Sequence, residues 1–424
     1  MMKKEFGVNV FGYINGEFGL GEAVRLIIKA LISADIPVAL INYDVKTNHR
    51  HQDQTYDKFS TEAPYAINLI LLGPSEAKKI LTHYSNVDFF KNKYNIFYLN
   101  WESENFPKEY VDNLSFYDEI WVPAEYCQKV ISKFSTVPVS VIHYPIEIPA
   151  SSFVDRVAND FFDNSCFNFL FIFDYNSTLE RKNTLNLIKA FKKAFKKDDR
   201  SVKLTIKTSR SARFLKEKSE LIDCINGVTN IVIVEEIFEK ETLHNIIKFC
   251  DSYVSLHRSE GFGLTMAEAM FYGKPVIATG YSGNLEFMNA DNSFLVNYEV
   301  CHVSSSLMNY DKNTVWSNPD IDHAAELLIK VKENSQEIKS IAKKGNQTII
   351  NEFSTKKIGN EIKNKLELIS RNFYYNPIKA QLIELHYENA IMKNKLKIVE
   401  KSKIITLILR IKQFFRDRNA KRRL

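Results

Sequence analysis

Short apolar runs alternate with amphipathic segments along most of the chain. The first half opens with the apolar run FGVNVFGYI (Phe6–Ile14), which leads through a glycine-rich stretch into the amphipathic segment GEAVRLIIKALISADI. Further apolar runs follow at VALINYD, NLILLG, NIFYLNW, EIWVPA and VSVIHY, with polar or helical segments between them. Apolar runs separated by helices are typical of parallel strands covered on both faces. The first half therefore predicts a parallel sheet with helices on both sides.

The same succession restarts at the apolar run FNFLFIFD (Phe167–Asp174). It continues through VKLTIKT, NIVIVEE, SYVSLH and PVIATG, and amphipathic segments such as NTLNLIKAFKKAFKK separate these runs. Pro145 and Pro149 lead into a polar stretch without periodicity between the two halves. We therefore predict an α/β protein of two Rossmann-like lobes, with ligands bound between them at the carboxyl ends of the strands.

This pattern divides the chain into four regions. We expect residues 1–150 to form the first lobe and residues 165–355 to form the second. A helix over 356–376 should return to the first lobe, and residues 377–424 should form a helical, basic, amphipathic tail. The length of 424 residues suits two lobes better than one core.

Composition narrows the class of protein. Apolar residues make up 45% and charged residues 25% of the chain, as in ordinary globular proteins. The five cysteines form no CxxC pair, which favours reduced thiols in a cytosolic protein. The opening MMKKEFGVNVFGYING lacks the composition of a secretory signal, and no apolar run reaches the ~20 residues of a membrane span.

Positive charge is concentrated at the carboxyl-terminal end. The whole chain carries +6, whereas Lys401–Leu424 alone carries +8, so the remaining 400 residues carry −2. A nearly neutral body makes a general nucleic-acid-binding surface a poor prediction.

The richest chemistry lies in SEGFGLTMAEAMFYGKPVIATGYSGNLEF, Ser259–Phe287. Glu260 should end a strand, and Glu268 should lie about one turn into the following helix. Gly261 and Gly263 allow close approach of a ligand to the backbone, and the positive end of the helix dipole suits a diphosphate. Glu268 could then bind a ribose. Carboxylates also stabilise helix starts and glycines also form plain turns, so the residues alone leave a structural role open.

The whole segment resembles the E-x7-E signature of the GT-B superfamily of retaining glycosyltransferases, family 4 of their sequence classification. The resemblance extends more weakly from Phe6 to Phe353, because GEFGLGEAVRLIIKAL is similar to the glycine-rich loop and first helix of that superfamily. It implies the GT-B fold, with a nucleotide-sugar donor bound by the second lobe. The predicted donor-binding residues are Gly19, Gly21, Arg258, Gly261, Phe262, Gly263, Leu264, Glu268 and Glu286.

The segment FDYNSTLERKN is similar to the loop after the first strand of the family's donor lobe. The resemblance places Lys182, and with it Arg181, against the donor diphosphate. The family's arginine about five residues earlier is absent and Ser177 stands there, so we expect Arg181 to compensate. The other interpretation is a helix turn with solvated charges. Glu260, Lys182 and Arg181 are the predicted catalytic residues, and Glu260 is expected to position the donor.

Other polar residues have less specific surroundings. Trp101 and Glu102, in LNWESEN, resemble an element of some family members, and we expect them on the acceptor side. The string Asp320-Ile321-Asp322 matches a metal-binding DxD pattern, but Asp322 before an amphipathic helix is better interpreted as a helix cap. We therefore predict no metal site and no cofactor, since helix dipole and Lys182 can neutralise a leaving diphosphate.

The carboxyl-terminal segment predicts an amphipathic helix over Lys403–Arg418. Ile404, Ile408, Ile411 and Phe415 fall on one apolar stripe, and basic residues surround it. This composition is typical of a helix lying on an anionic bilayer surface. Packing on the protein body or on a partner is the alternative.

Together these features predict a retaining glycosyltransferase that moves a hexose-type sugar from a UDP- or GDP-linked donor to a glycan or lipid-linked acceptor. We expect it in bacterial surface polysaccharide assembly (lipopolysaccharide, O-antigen or capsule), cytoplasmic and peripheral at the inner face of the membrane. Two alternatives stay open at this point. One is a sugar phosphorylase or nucleotide-sugar epimerase of the same fold, and the other is a non-catalytic binding or scaffold protein.

Overall fold

A six-stranded parallel sheet forms the centre of the first lobe. The computed structural model of the chain describes residues 5–147, 161–303, 310, 312–372, 376–401 and 410–412, apart from Lys46, Asn48, Ser85 and Asn164. The strand order is β2-β1-β3-β4-β5-β6, and the apolar runs of the first half supply these strands. The strands are β1 Val8–Gly12, β2 Val38–Asn42, β3 Ile67–Leu71, β4 Tyr94–Tyr98, β5 Glu119–Val122 and β6 Val139–Val141. The helices between them are α1 Gly19–Ser33, α2 Ile80–His83, α3 Lys108–Leu114 and α4 Glu125–Ile131.

A second parallel sheet of six strands forms the other lobe, in the order β12-β11-β10-β7-β8-β9. Its strands are β7 Phe167–Ile172, β8 Val202–Thr208, β9 Ile231–Glu235, β10 Ser252–Ser255, β11 Val276–Thr279 and β12 Phe294–Val296. Its helices are α5 Leu179–Lys182, α6 Thr184–Ala194, α7 Leu215–Ile225, α8 Lys240–Phe249 and α9 Leu264–Phe271. An antiparallel hairpin of β13 Tyr298–His302 and β14 Val315–Pro319 follows this sheet. The predicted fold class, two Rossmann-like α/β lobes with a helical extension, is confirmed.

Four helices complete the described chain: α10 Ile321–Lys332, α11 Gln336–Glu352, α12 Thr355–Asn372 and α13 Pro377–Lys401. Helix α12 packs on α1 of the first lobe, where Gly359 lies so close to the Ala30 carbonyl that a Cβ would be 2.4 Å from its oxygen. Helix α13 packs beside α2 through Ala380 and Ile383. No helix within the described residues is both long and apolar enough to cross a bilayer.

One apolar cluster is continuous between the lobes. It contains Val8 and Ile27 from the first lobe, Phe262 and Phe353 from the second lobe and its following helices, and Ile362 from α12. A backbone hydrogen bond of 2.7 Å from Ile146 to the carbonyl of Phe353 lies beside it. The two sheets are therefore held in a defined relation, with the carboxyl ends of their strands at the cleft.

Candidate active site

The loop between β10 and α9 is held where it can meet both lobes. Gly263 precedes α9 with φ of 99°, a left-handed conformation that favours glycine. Gly261 lies against the first lobe, because a Cβ there would be 2.4 Å from Oδ1 of Asn100. The backbone of the loop that contains Gly283 is equally close, since a Cβ on Gly283 would be 2.2 Å from the Gly261 carbonyl oxygen. Gly283 is thus required by contact between backbones, and Gly261 is confined by the side chain of Asn100.

Two cations from one short turn converge on Glu260. The turn is the α5 segment, in which the Thr178 hydroxyl accepts a hydrogen bond from the backbone N–H of Arg181. Lys182 Nζ forms an ion pair with Oε1 of Glu260, and Nη1 of Arg181 lies 3.2 Å from the other carboxylate oxygen, Oε2. The structure therefore brings the three predicted catalytic residues together.

Arg181 is deeply buried in this cluster. Its guanidinium donates to the carbonyls of Ser177 at 3.2 Å and Ser259 at 2.9 Å, and it lies 3.6 Å from the carboxylate of Glu102 in the first lobe. Burial alone would lower the pKa of Arg181, but Glu260 and other neighbours raise it above its usual range. Burial alone would raise the pKa of Glu260, but Lys182 and Arg181 outweigh it and hold this pKa at about 2. Glu260 is consequently a carboxylate throughout the physiological range.

Glu268 lies in a different electrostatic environment on the first turns of α9. It is half-buried, and no residue among those described donates a hydrogen bond to its carboxyl. Burial, with a further contribution from the Glu22 charge, raises the pKa of Glu268 to about 8, and the Lys240 charge offsets only part of this. Glu268 therefore keeps unused acceptor oxygens.

The two charged residues that act on Glu268, Glu22 and Lys240, form an ion pair between the lobes. Glu22 lies in the first turn of α1 and receives an ion pair of 2.5 Å from Lys240 of α8 in the second lobe. Arg25 donates to Glu22 at 2.9 Å and to the carbonyl of Gly16 at 2.8 Å, which fixes the loop before α1. Burial alone would raise the pKa of Glu22, but Lys240 and Arg25 hold it at about 2. The sequence analysis missed this cluster, because GEFGLGE was interpreted for its glycines and not for Glu22.

Glu286 contacts the first lobe at the start of α4. Its Oε1 accepts a hydrogen bond of 2.6 Å from the backbone N–H of Glu125, and its Oε2 lies 3.7 Å from Nδ1 of His143. Burial raises the pKa of Glu286, and the Glu125 hydrogen bond opposes that rise. The carboxylate predicted to contact donor hydroxyls therefore accepts a hydrogen bond from a helix N-terminus.

Several predicted donor-site residues lie near the cluster without a side chain directed into it. The guanidinium of Arg258 points instead to the β13–β14 hairpin, where it donates to Asn318 at 2.9 Å and lies over the ring of Trp316. The Phe262 ring is buried among apolar residues, so only its backbone can reach a ligand. Leu264 begins α9, whose first N–H groups have no intrahelical partner. Their donor roles stay predictions.

The glycine-rich loop of the first lobe enters α1 at the cleft. Gly19 is the first residue of α1, and a Cβ there would meet nothing within 4 Å. Gly21 packs so closely on the Gly16 carbonyl that a Cβ would be 2.0 Å from its oxygen. Gly19 thus borders open space that a ligand could occupy, whereas Gly21 is required by backbone packing.

The acceptor-side candidates lie differently from each other. The indole of Trp101 is buried in the first lobe beside Phe106, and its Nε1 donates to the Asn105 carbonyl at 2.9 Å. Glu102 extends to Arg181, and its backbone carbonyl accepts from the Ser259 hydroxyl. Glu102 is therefore part of the charged cluster between the lobes, and an acceptor role for either residue stays a prediction.

The DxD string caps a helix, but through a different residue from the one predicted. Helix α10 begins at Ile321, and the Asp320 side chain accepts from the backbone N–H groups of Asp322 at 2.8 Å and His323 at 3.1 Å. The prediction that Asp322 is the cap was wrong, because the helix starts two residues earlier than a cap at Asp322 requires. Asp322 instead pairs with Lys193. Within the described residues, no cluster of three or more His, Cys, Asp or Glu side chains could hold a metal ion.

Residues 167–303 match the family model described as glycosyl transferases group 1. This segment includes the second sheet, both cations and both glutamates of the site. No curated protein sequence is significantly similar to the chain.

Solved structures with the same two-lobed architecture show that the fold is GT-B. HepE from Anabaena, in complex with UDP and glucose, is 14% identical with a TM-score of 0.60, and the alignment covers 86% of this chain and 100% of HepE. Sucrose-phosphate synthase from Thermosynechococcus elongatus is 12% identical with a TM-score of 0.63, over 87% of this chain and 100% of that one. TarM from S. aureus, in complex with UDP, is 18% identical with a TM-score of 0.50, over 71% of this chain and 55% of TarM.

Proposed function

We propose that the chain is a retaining glycosyltransferase that uses a nucleotide-sugar donor. The observation that carries the proposal is the arrangement around α9: Glu260 is held by Arg181 and Lys182 before the helix, and Glu268 projects unused acceptors from its first turns. A diphosphate at the helix N-terminus would meet unpaired N–H groups, the helix dipole and the Lys182 ammonium. A ribose beside it would meet Glu268.

Lys182 is the cation best placed for the departing diphosphate. It is half-buried and, among the described carboxylates, pairs with Glu260 alone, so it can turn to an incoming phosphate. Negative charge grows on the diphosphate as the bond from the sugar's anomeric carbon to its oxygen breaks. A fixed cation at that oxygen stabilises the transition state more than the bound donor.

Glu260 does not fit the general acid of a glycosidase. A general acid needs a pKa near the working pH, whereas the pKa of Glu260 is held at about 2 by Lys182 and Arg181. In our proposal the acceptor hydroxyl forms the new bond on the face that the diphosphate leaves, and its proton passes to a donor phosphate oxygen. Glu260 and Glu268 then position the donor, and no essential metal is required.

The substrate class is a further part of the proposal. We propose a hexose-type donor linked to UDP or GDP, with UDP-glucose as the first compound to test because two of the similar structures contain UDP. The proposed acceptor is a glycan or lipid-linked glycan of bacterial surface polysaccharide. The basic segment that would hold the enzyme at an anionic membrane lies outside the described residues, except for Lys401 and residues 410–412.

A donor screen tests the proposal. The full chain is incubated with a panel of UDP- and GDP-hexoses and lipid-linked or free glycan acceptors, with and without EDTA, and products are measured by mass spectrometry. We expect acceptor-dependent release of nucleoside diphosphate, unchanged by EDTA, and a product whose anomeric configuration by NMR equals that of the donor. An inverted product would refute retention, and loss of activity on chelation that manganese restores would refute metal independence.

The same screen separates the alternatives. Donor isomerised without an acceptor would indicate an epimerase, and sugar released by orthophosphate would indicate a phosphorylase. Nucleotide binding with no turnover of any donor would indicate a binding or scaffold protein.

A further inference from the structure

Helix α13 has a second apolar face that its own protein does not cover. The side chains of α13 are described from Pro377 to Val399. One face of the helix packs on the first lobe through Ala380 and Ile383. At 100° per residue, the opposite face carries a different set of residues at alternating spacings of four and three. This set, which we call the seam, comprises Ile378, Leu382, Leu385, Asn389, Met392, Leu396 and Val399.

The seam is exposed and regular. Its six apolar members are between 36% and 77% exposed, and Asn389 is exposed as well. Spacings of four and three over three consecutive seven-residue repeats are the pattern by which two helices pack as a coiled coil. The seam extends about 32 Å along the helix. Isolated apolar side chains on a surface are ordinary, but a continuous stripe of this length marks an interaction site.

We infer that α13 forms a parallel, in-register, two-stranded coiled coil with α13 of a second copy of this chain. Asn389 is the first reason, because it interrupts the apolar seam at its centre. In register and parallel, Asn389 meets Asn389 of the other copy, and the two amides hydrogen-bond. An antiparallel pairing places each Asn389 against an apolar residue and leaves its amide without a partner. A single asparagine of this kind specifies both register and two-stranded assembly.

Charge complementarity is the second reason. With Leu382 and Asn389 in the first position of the repeat, Glu388 and Lys393 flank the seam on opposite sides. In a parallel pair, Glu388 of one helix faces Lys393 of the other, and the contact occurs twice by symmetry. Both side chains are exposed, and neither forms an ion pair with another described residue of its own chain.

The placement of the protein body allows this assembly. Ala380 and Ile383, which contact the first lobe, lie on the side of α13 away from the seam, so the two bodies would occupy opposite outer sides of the helix pair. Both chains would then leave the pair at the same end. Two basic segments of +8 each would follow there, which doubles the charge available to an anionic surface. The inference does not depend on the proposed transfer reaction.

The mass of the full chain in solution tests the inference. Light scattering after size exclusion at micromolar concentration should give twice the chain mass of 49.1 kDa. The double variant Leu385→Asp with Leu396→Asp should give the monomer mass, because four carboxylates would then face each other across the pair. Ile398→Asp is the matched control: Ile398 is 71% exposed on the same helix but lies outside the seam, so this variant should remain dimeric.

Cysteine cross-linking tests the orientation. Met392→Cys should form an intermolecular disulfide under mild oxidation, because identical seam positions meet in a parallel, in-register pair. Ile398→Cys and the parent should not. A monomeric parent would overturn the inference and indicate that the seam binds a membrane or another protein. A dimer that survives the double variant, or a Met392→Cys protein that fails to cross-link while dimeric, would overturn it too.

Discussion

Glu268→Gln tests whether the second glutamate of the site binds donor as a carboxylate. The pKa of Glu268 is raised to about 8 by burial and by Glu22, so most of the free protein carries a neutral carboxyl at pH 7. Binding that requires the carboxylate must first remove this proton, at roughly 1.4 kcal/mol for each pH unit below the pKa. We therefore expect donor affinity of the parent to rise about tenfold from pH 6 to pH 7, and to level off above pH 8.

The difference in donor affinity between the variant and the parent should therefore depend on pH. Above pH 8 it lacks two charge-assisted acceptors, and we expect affinity lower by roughly 1.5–3 kcal/mol. Near pH 6 the parent carboxyl is itself neutral, so the two proteins should bind almost equally. His244, also near Lys240, does not confuse the comparison, because burial lowers the pKa of His244 to about 4.

Stability gives an independent measurement of the same carboxyl. Because its pKa is raised on folding, Glu268 contributes stability that is present below its unfolded pKa and lost as pH rises through about 8. Without ligand above pH 8, Glu268→Gln should therefore unfold at a higher temperature than the parent, while it binds donor more weakly. Damage to the fold would instead lower both the unfolding temperature and the donor affinity of the variant.

Isothermal titration with a nucleotide sugar at several pH values is the assay, since the diphosphate diester carries no proton that titrates in this range. Glu241→Gln, which removes an exposed carboxylate from α8, is the control and should follow the parent. Equal affinity of parent and Glu268→Gln above pH 8, or the same pH slope in both, would refute the reasoning.

Three further predictions concern the cations and the tail. Lys182→Ala should reduce turnover at saturating donor about 10²- to 10³-fold with little loss of thermal stability, since Arg181 still pairs with Glu260; unchanged turnover would exclude the role. Arg181→Met should lower the free energy of unfolding by about 3–5 kcal/mol in urea titration, because the buried Glu260 and the half-buried Glu102 lose their shared cation, and an unchanged midpoint would contradict this. Deletion of Lys401–Leu424 should preserve nucleotide binding but reduce co-sedimentation with anionic vesicles, and equal pelleting would exclude membrane contact.

The fold was predictable because its strands are nearly continuous apolar runs. Where polar residues interrupt them, the reason appears only in the assembled sheet. Asn9, Asn68 and Asn95 lie on adjacent strands and form a buried ladder, with hydrogen bonds of 2.8 Å from Asn9 to Asn68 and 2.7 Å from Asn68 to Asn95. Their partners are 59 and 27 residues apart in the chain, and no local periodicity contains that pairing. Each asparagine looks like an imperfection of its strand until the strand order is known.

Within the site, the relation between residues close in sequence could be predicted, whereas contacts between residues far apart in sequence could not. Glu260 and Glu268 lie on one loop–helix unit, so their spacing determines their relation. Glu22 and Lys240, by contrast, meet only because the lobes close on each other in a particular orientation. Arg258 adjoins Glu260 in sequence, but the β13–β14 hairpin offers its guanidinium both hydrogen bonds and a tryptophan ring. A tertiary contact of that kind overrides proximity along the chain.

The adjacent cations Arg181 and Lys182 have different surroundings, and in the proposed mechanism these surroundings suit them to different roles. The guanidinium of Arg181 contacts two backbone carbonyls and two carboxylates. Its movement away would therefore leave buried negative charge without this partner. Lys182 contacts only Glu260 among the described carboxylates, and Glu260 keeps Arg181 if Lys182 turns to a phosphate. Movement of Lys182 therefore leaves no buried carboxylate unpaired. Because Ser177 supplies no cation, in the proposed mechanism consecutive residues of the short turn provide a structural cation, Arg181, and a cation that turns to the donor, Lys182. Arg181 and Lys182 variants should therefore lose different properties.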